Sequence, residues 1–222
     1  RVPRIDTVIK LAGALKVPPG DLLKGMAWKP GRAQTVDSSS ARRSADGRGD
    51  QEAALQGLRL SQWQALRARC FDDEIRRFLS RHPGDTVVAL GEGLETQLWR
   101  VDDGRVRWVT VDLPEVIALR RELLPLHDRN RMIAASVLDH AWTSAVPPNT
   151  DVLVTAQGLL MYLAPGEVRE LITVCADRFR PGALVFDAVP RWLVERSRRG
   201  GLRTQSGYAP PAWSWGLDRG EE

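Results

Sequence analysis

Apolar and polar positions alternate along this chain with two different periods, and each change of period marks an element boundary. Near the N-terminus Ile5, Val8, Ile9, Ala12 and Leu15 recur at helical spacing. Pro18-Pro19-Gly20 stops that helix, and residues 21–24 start a short second one. Residues 31–52 (GRAQTVDSSSARRSADGRGDQE) carry almost no large apolar side chain and read as a flexible linker. From Leu58 to Leu79 the helical period returns, with Leu66, Cys70, Ile75, Phe78 and Leu79 on or near one face, until residues 82–85 (HPGD) break it. Beyond that point the apolar residues gather into short runs. Thr86–Leu90, Arg105–Asp112, Arg131–Leu138, Asp151–Ala156 and Ala183–Val189 are predicted strands. Between them lie a helix over Leu113–Leu124, opened by Pro114, and another over Pro165–Phe179. Strands that are apolar nearly throughout and separated by helices predict a parallel α/β sheet covered on both faces.

Composition narrows the class. The chain has 222 residues, 43% hydrophobic and 27% charged. That is enough for one large domain or two small ones and excludes a disordered or fibrous protein. No run approaches the roughly 18 apolar residues that cross a bilayer. No signal peptide is visible, but the sequence opens on Arg1 rather than Met, so that absence carries little weight, and a cytoplasmic location is expected from the free cysteines instead. The net charge of +4 is carried by arginine: the four lysines (Lys10, Lys16, Lys24, Lys29) all precede residue 30. The basic pairs Arg42-Arg43, Arg76-Arg77, Arg120-Arg121 and Arg198-Arg199 are short and scattered, so charge alone does not argue for nucleic acid. Cys70 and Cys175 fit no ligand or CxxC spacing and are expected as buried free thiols in predicted helices. His82, His127 and His140 have no zinc-ligand spacing, and no metal is expected.

The candidate chemistry lies at residues 86–96 (TVVALGEGLET). A buried strand enters a Gly-x-Gly turn, where Gly91 and Gly93 let the main chain bend sharply and let a ligand approach it. The following helix N-terminus offers free N–H groups to an anion. The next strand ends in Asp112, at the roughly 20-residue spacing from which a carboxylate accepts hydrogen bonds from ribose hydroxyls. An adenosine-containing ligand is expected, with a tight turn and a capping aspartate as the plain alternative. A dinucleotide fingerprint places a third glycine where Thr96 stands, and that substitution tilts the choice toward S-adenosylmethionine, which carries no phosphate.

Four ordered segments extend this reading: VVALGEGLETQLWRV, WVTVDLPEVIALRRELLP, RMIAASVLDHAW and VTAQGLLMYLAPGEV. They resemble successive motifs of the leucine carboxyl methyltransferase family, in its bacterial polyketide O-methyltransferase branch, from about Leu58 to Glu222. The resemblance implies a class I methyltransferase fold, a Rossmann-like doubly wound α/β sheet, using S-adenosylmethionine. It implies that Arg67 pairs with the cofactor carboxylate, that Gly91 and Gly93 underlie the methionine part, that Asp112 holds the ribose, that Ser136 and Val137 lie beside the adenine, and that Gln157 contacts the cofactor. Ser136-Val137 stands where many members have Asp-Leu, Gln157 where many have Glu, and Gln97 where the commoner motif carries Arg. Asp139 either substitutes for the missing acid or caps a helix. Residues 1–30 resemble the last two helices of a XRE/Cro-like helix-turn-helix domain, without the pair that reads the major groove.

The expected organisation is a helix-turn-helix remnant (1–30), a linker (31–52) and a methyltransferase domain (53–222). Five strands are recognisable where the family sheet has seven, so that domain is expected to be incomplete at its C-terminus. The expected reaction is methyl transfer to a carboxylate or phenolic oxygen of a small, polyketide-like molecule. A carboxylate needs no general base, while His140 is a candidate base for a phenol. Tyr162, Tyr208, Trp213 and Trp215 are candidates for lining the acceptor site, the last three in a Pro- and Gly-rich loop or lid; Met161 also follows strand 4. No catalytic residue is assigned. A DNA-binding regulator with a methyltransferase-like sensor is the competing reading, in which DNA binding requires the complete helix-turn-helix.

Overall fold

A computed structural model of the chain describes residues 48–199 and 212–218. The helix-turn-helix segment, most of the linker and Tyr208 lie outside the described residues. The chain divides into two compact units within its first described helix, between Leu66 and Arg67. Every site below belongs to the unit that begins at Arg67.

That helix, α1 (Arg48–Arg81), starts ahead of the predicted Leu58 and takes in residues 48–52 of the expected linker. Its buried seam is set by a four-residue repeat of Phe71, Ile75 and Leu79, with Phe78 partly buried beside it. Cys70 is exposed, contrary to expectation, because it sits one residue, about 100° of helix, off that seam. Leu66, also expected on the apolar face, is 60% exposed. The predicted break holds: the His82 amide donates to Phe78, and Gly84 turns the chain at φ +83°.

Five parallel strands follow: β1 (Thr86–Leu90), β2 (Arg107–Asp112), β3 (Asn130–Ala134), β4 (Val152–Ala156) and β5 (Gly182–Phe186). They form one sheet in the order β3-β2-β1-β4-β5. The two-residue period of a strand sorts their side chains between two cores. Val87, Ala89, Trp108 and Leu153 face α1 and the short α2 (Gln97–Val101). Val88, Leu90, Val109, Val111, Val152, Val154 and Ala156 pack with Trp142, Leu160, Leu171 and Phe179 on the other face. The remaining helices are α3 (Pro114–Leu123), α4 (Pro165–Arg178) and α5 (Arg191–Arg198). Both α3 and α4 open on proline, and the Glu167 carboxylate accepts the Ala164 amide at the start of α4. Short 3-10 turns occupy His140–Ala145 and Leu160–Tyr162.

Strand ends differ from prediction where pairing runs out. β3 pairs with β2 only as far as Asp112 opposite Ala134, so residues 135–138 leave the sheet despite their apolar character. β5 ends at Phe186 opposite Ala156, which leaves Asp187 as a loop residue at the end of the sheet.

Strand order reverses at β1, which lies between β2 and β4. Chain leaving β1 turns toward one side and chain leaving β4 toward the other, which opens a crevice at the carboxyl ends of these strands, the place where doubly wound sheets bind ligands.

Candidate functional site

On the β1 side of the crevice the chain makes the predicted glycine turn. Gly91 and Gly93 lie at φ +60° and +59°. The positive φ favours glycine at Gly91, and a Cβ there would sit 2.9 Å from Leu159 Cδ1, so that side chain would have to move aside. The Gly91 amide donates to the Val111 carbonyl at 2.8 Å. Asp112, at the end of β2, accepts the Gly93 amide at 2.7 Å and the Leu113 amide at 2.8 Å. Its carboxylate therefore ties the glycine turn to the start of α3. Burial pushes the Asp112 carboxyl above its ordinary value, against the pull of those two N–H donors.

Beneath the turn lies a pair of charges that the sequence analysis did not single out. Glu92 is buried between the two glycines, and Arg120 of α3 is wholly buried beside it. Arg120 Nη2 lies 3.0 Å from Glu92 Oε2, and Arg120 Nη1 donates to the carbonyls of Gly93 and, at 3.2 Å, Glu95. The Thr110 hydroxyl (2.6 Å) and the Trp108 indole N–H (3.3 Å) donate to the same Glu92 oxygen. Burial drives the Glu92 carboxyl upward, and Arg120, Thr110 and Trp108 oppose it only in part. Arg120 thus holds the turn by its carbonyls. The signal was available: Arg120 lies three residues after Ile117, on the buried face of α3, whereas its neighbour Arg121 is exposed.

On the β4 side, Gln157 and Gly158 follow the strand. Gly158 is at φ +70°, and a Cβ there would fall 3.1–3.4 Å from the Arg67 guanidinium. Arg67 Nη1 donates to Asp187 Oδ2 at 3.0 Å, while Asp187 Oδ1 accepts the Gly158 amide at 2.5 Å. Among the described residues, buried Arg67 Nε and Gln157 Oε1 have no hydrogen-bond partner, as is also the case for Arg120 Nε and Glu92 Oε1 under the glycine turn. Asp187 was also missed. It closes β5 as Asp112 closes β2, an acid at the end of an apolar strand, and that analogy was the available signal.

The remaining predicted residues are dispersed. Val137 is core, and its carbonyl accepts the Trp142 indole N–H. The Ser136 hydroxyl accepts the Leu138 amide. Asp139 is exposed and caps the 3-10 turn through the Ala141 amide. Gln97 faces α1, where it donates to Asp72 Oδ1 at 3.2 Å, and Arg100 pairs with the same carboxylate at 2.7 Å. The loss of charge at Gln97 is therefore matched away from the turn. The helix after the turn, α2, has only five residues, so it offers little of the anion-binding end that was expected.

Met161 is buried and Tyr162 is 44% exposed. The main chain of Ser214 and Trp215 bonds to the Met161 carbonyl, and the Trp215 ring lies 6.0 Å from that of Phe186. The Trp213 amide donates to Ser197 Oγ, and Arg198 holds the carbonyls of Trp213 and Ser214. The aromatic segment 212–218 is thus a packed strap over α5.

His140 is misplaced for a base. It lines a cavity of about 670 Å³ with Asn149, Asp151 and Pro181, at the amino ends of β4 and β5. The volume there is large, but the glycine turn and the strand-end carboxylates lie at the other end of the sheet. His82, Asp85 and Asp151 also gather at the amino ends, with His82 Nδ1 2.5 Å from Asp151 Oδ2. They clasp β1 to β4 there.

Residues 24–176 match the model of the leucine carboxyl methyltransferase family. That match begins ahead of the expected boundary at residue 53. The chain is 37% identical over 153 residues to the tetracenomycin polyketide synthesis O-methyltransferase TcmP of Streptomyces glaucescens, covering 68% of this chain and 56% of that protein. It is 33% identical over 138 residues to the S-adenosyl-L-methionine-dependent methyltransferase dpfgK of Gibberella zeae, covering 56% and 46%. Among solved structures, the methyltransferase SibL in its apo form aligns with a TM-score of 0.47 at 18% identity, over 59% of this chain and 38% of that one. The chain spans about half the length of the curated relatives it matches.

Proposed function

The chain belongs to the leucine carboxyl methyltransferase family, and from that premise we propose that it carries the cofactor-binding part of an S-adenosylmethionine-dependent O-methyltransferase. One observation carries this reading. The Asp112 carboxylate stands against the Gly91–Gly93 turn at the switch point, and the chain leaving β4 in the same crevice packs Gly158 against the Arg67 guanidinium. The Asp112 carboxylate on one side of the switch point and the Arg67 guanidinium on the other are an acceptor and donor set that fits a ligand with ribose hydroxyls and a carboxylate.

S-adenosylmethionine supplies, when bound, an electrophilic methyl group on a sulfonium leaving group. The chain's own residues then hold and align the reactants and exclude water. Asp112 accepts ribose hydroxyls. Arg67 pairs with the α-carboxylate, a task suited to the guanidinium fork. Gly91 and Gly93 admit the methionine part against the main chain. Ser136 and Val137 flank the adenine, and Gln157 offers an amide that both donates and accepts. Tyr162, Trp213 and Trp215 line the acceptor side.

The acceptor in this reading is a small polyketide-like molecule, on the strength of the relative from tetracenomycin synthesis. His140 lies with the amino ends of the strands, so the reading favours an oxygen that arrives ionised: a carboxylate, or a phenol acidic enough to need no base. The two free cysteines fit a reducing cytoplasm. Residues 53–222 are assigned to the methyltransferase domain.

Calorimetric titration with S-adenosylmethionine and S-adenosylhomocysteine tests the shared premise; binding of both is expected, and no heat with either rejects it. Transfer of a labelled methyl group to a panel of carboxylic and phenolic acceptors then decides the reaction.

A further inference from the structure

We propose that Asp187 is a positioning residue that holds the Arg67 guanidinium ready for the carboxylate of an amino-acid ligand. The inference rests on the reading of Arg67 given above and assigns a role to a residue outside it.

Register places Asp187. β5 ends at Phe186 opposite Ala156, so Asp187 leaves the sheet beside Gln157. Its two oxygens are divided between two elements. One accepts the Gly158 amide and the other the Arg67 guanidinium, so a single carboxylate joins α1, the turn after β4 and the end of β5. Both side chains are largely withdrawn from water, at 20% exposure for Arg67 and 15% for Asp187. Glycine at 158 is part of the device. Its amide donates to Asp187, it holds a positive φ that favours glycine, and the missing Cβ leaves the space in which the guanidinium lies.

An arginine side chain is long and loses rotamer entropy when it is fixed. Here Asp187 fixes it through Nη1, one of the three nitrogens that carry its five N–H donors, and Nε has no hydrogen-bond partner among the described residues. An incoming carboxylate therefore meets a guanidinium already held in place, with donor capacity left, and the ordering cost falls on folding rather than on binding. The role is specific to the ligand's carboxylate and leaves its nucleoside untouched.

That specificity is the test. S-adenosylhomocysteine and 5′-methylthioadenosine share the adenosine and the thioether, and only the first carries the carboxylate. In Asp187→Asn, calorimetry is expected to show S-adenosylhomocysteine binding weakened about tenfold, with 5′-methylthioadenosine within about twofold of the parent chain. Asp187→Glu keeps the charge and changes its reach. Its loss is expected to be smaller and still confined to S-adenosylhomocysteine, so the inference stays testable if the asparagine variant does not fold. Equal losses for both ligands mark a merely structural residue and overturn the inference, as do unchanged affinities. Tighter S-adenosylhomocysteine binding makes Asp187 a competitor for Arg67 and also overturns it. Arg67→Lys separates the premise: if it leaves the preference for S-adenosylhomocysteine intact, Arg67 is not the carboxylate partner and both readings fall. A parent chain that binds neither ligand rejects the cofactor reading itself.

Discussion

The two sides of the crevice are built on opposite plans. On the β1 side, the Gly91–Gly93 turn rests on an ion pair taken wholly out of water, with Arg120 tied to Glu92 and to two main-chain carbonyls. On the β4 side, the Arg67–Asp187 pair keeps some exposure, 20% and 15% of the two side chains, and on both sides buried polar atoms (Arg120 Nε and Glu92 Oε1, Arg67 Nε and Gln157 Oε1) have no hydrogen-bond partner among the described residues. The two sides differ in how far their charges are withdrawn from water. In a fully buried pair, removing one partner strands the other charge in a medium that cannot solvate it. In a partly exposed pair, water takes up much of the loss. The first arrangement should therefore report on folding and the second on binding.

The largest effect is expected from Arg120→Met. It leaves Glu92 unpaired in the core and should lower the free energy of unfolding by about 3–5 kcal/mol, measured by urea denaturation. Arg67→Met should cost at most about 1 kcal/mol in the same experiment while weakening S-adenosylhomocysteine binding severalfold. Comparable stability losses for the two variants would erase the contrast.

A smaller effect concerns pH. Because burial raises the Asp112 carboxyl above its ordinary 3.8, acidification protonates it earlier than an exposed aspartate. Protonation removes acceptor capacity for ribose hydroxyls, so affinity for 5′-methylthioadenosine should fall as pH drops toward that raised value. In Asp112→Asn this dependence should vanish. Stability runs the other way. A carboxyl raised in the folded state contributes stability that is full below its unfolded value and is lost as pH rises through its folded value. The Asp112 contribution to stability, read as the difference between the parent chain and Asp112→Asn without ligand, should thus be slightly larger on the acidic side, where the ligand is held less well. Affinity and stability curves that move together would contradict this assignment.

The five-strand plan was readable because the strands carry short apolar runs, nearly continuous in β1 and β4, and each is bounded by helix or turn signals. Strand ends were less readable, because pairing sets them. Residues 135–138 are as apolar as a strand requires but have no partner beyond Asp112. Gly91, Gly93 and Asp112 were legible because their chemistry is local, a turn and the acid that closes the next strand. Glu92, Arg120 and Asp187 were not, because their meaning comes from contacts across the fold. Arg120 looked like half of a surface pair until the face of α3 was known, and Asp187 looked like a strand residue. Cys70 and Leu66 failed for a similar reason: a helical period tolerates more than one face, and packing of Phe71, Ile75 and Leu79 chose among them.

The ion pair under the turn also bears on how this protein can be re-engineered. A designer wishing to transplant the cofactor turn would be tempted to move residues 91–93 alone. Glu92 would then arrive in its new host as an orphan charge, since Thr110, Trp108 and Arg120 stay behind. The smallest exchangeable cassette is β1, the turn, β2 and α3 through Arg120, carried over as one piece.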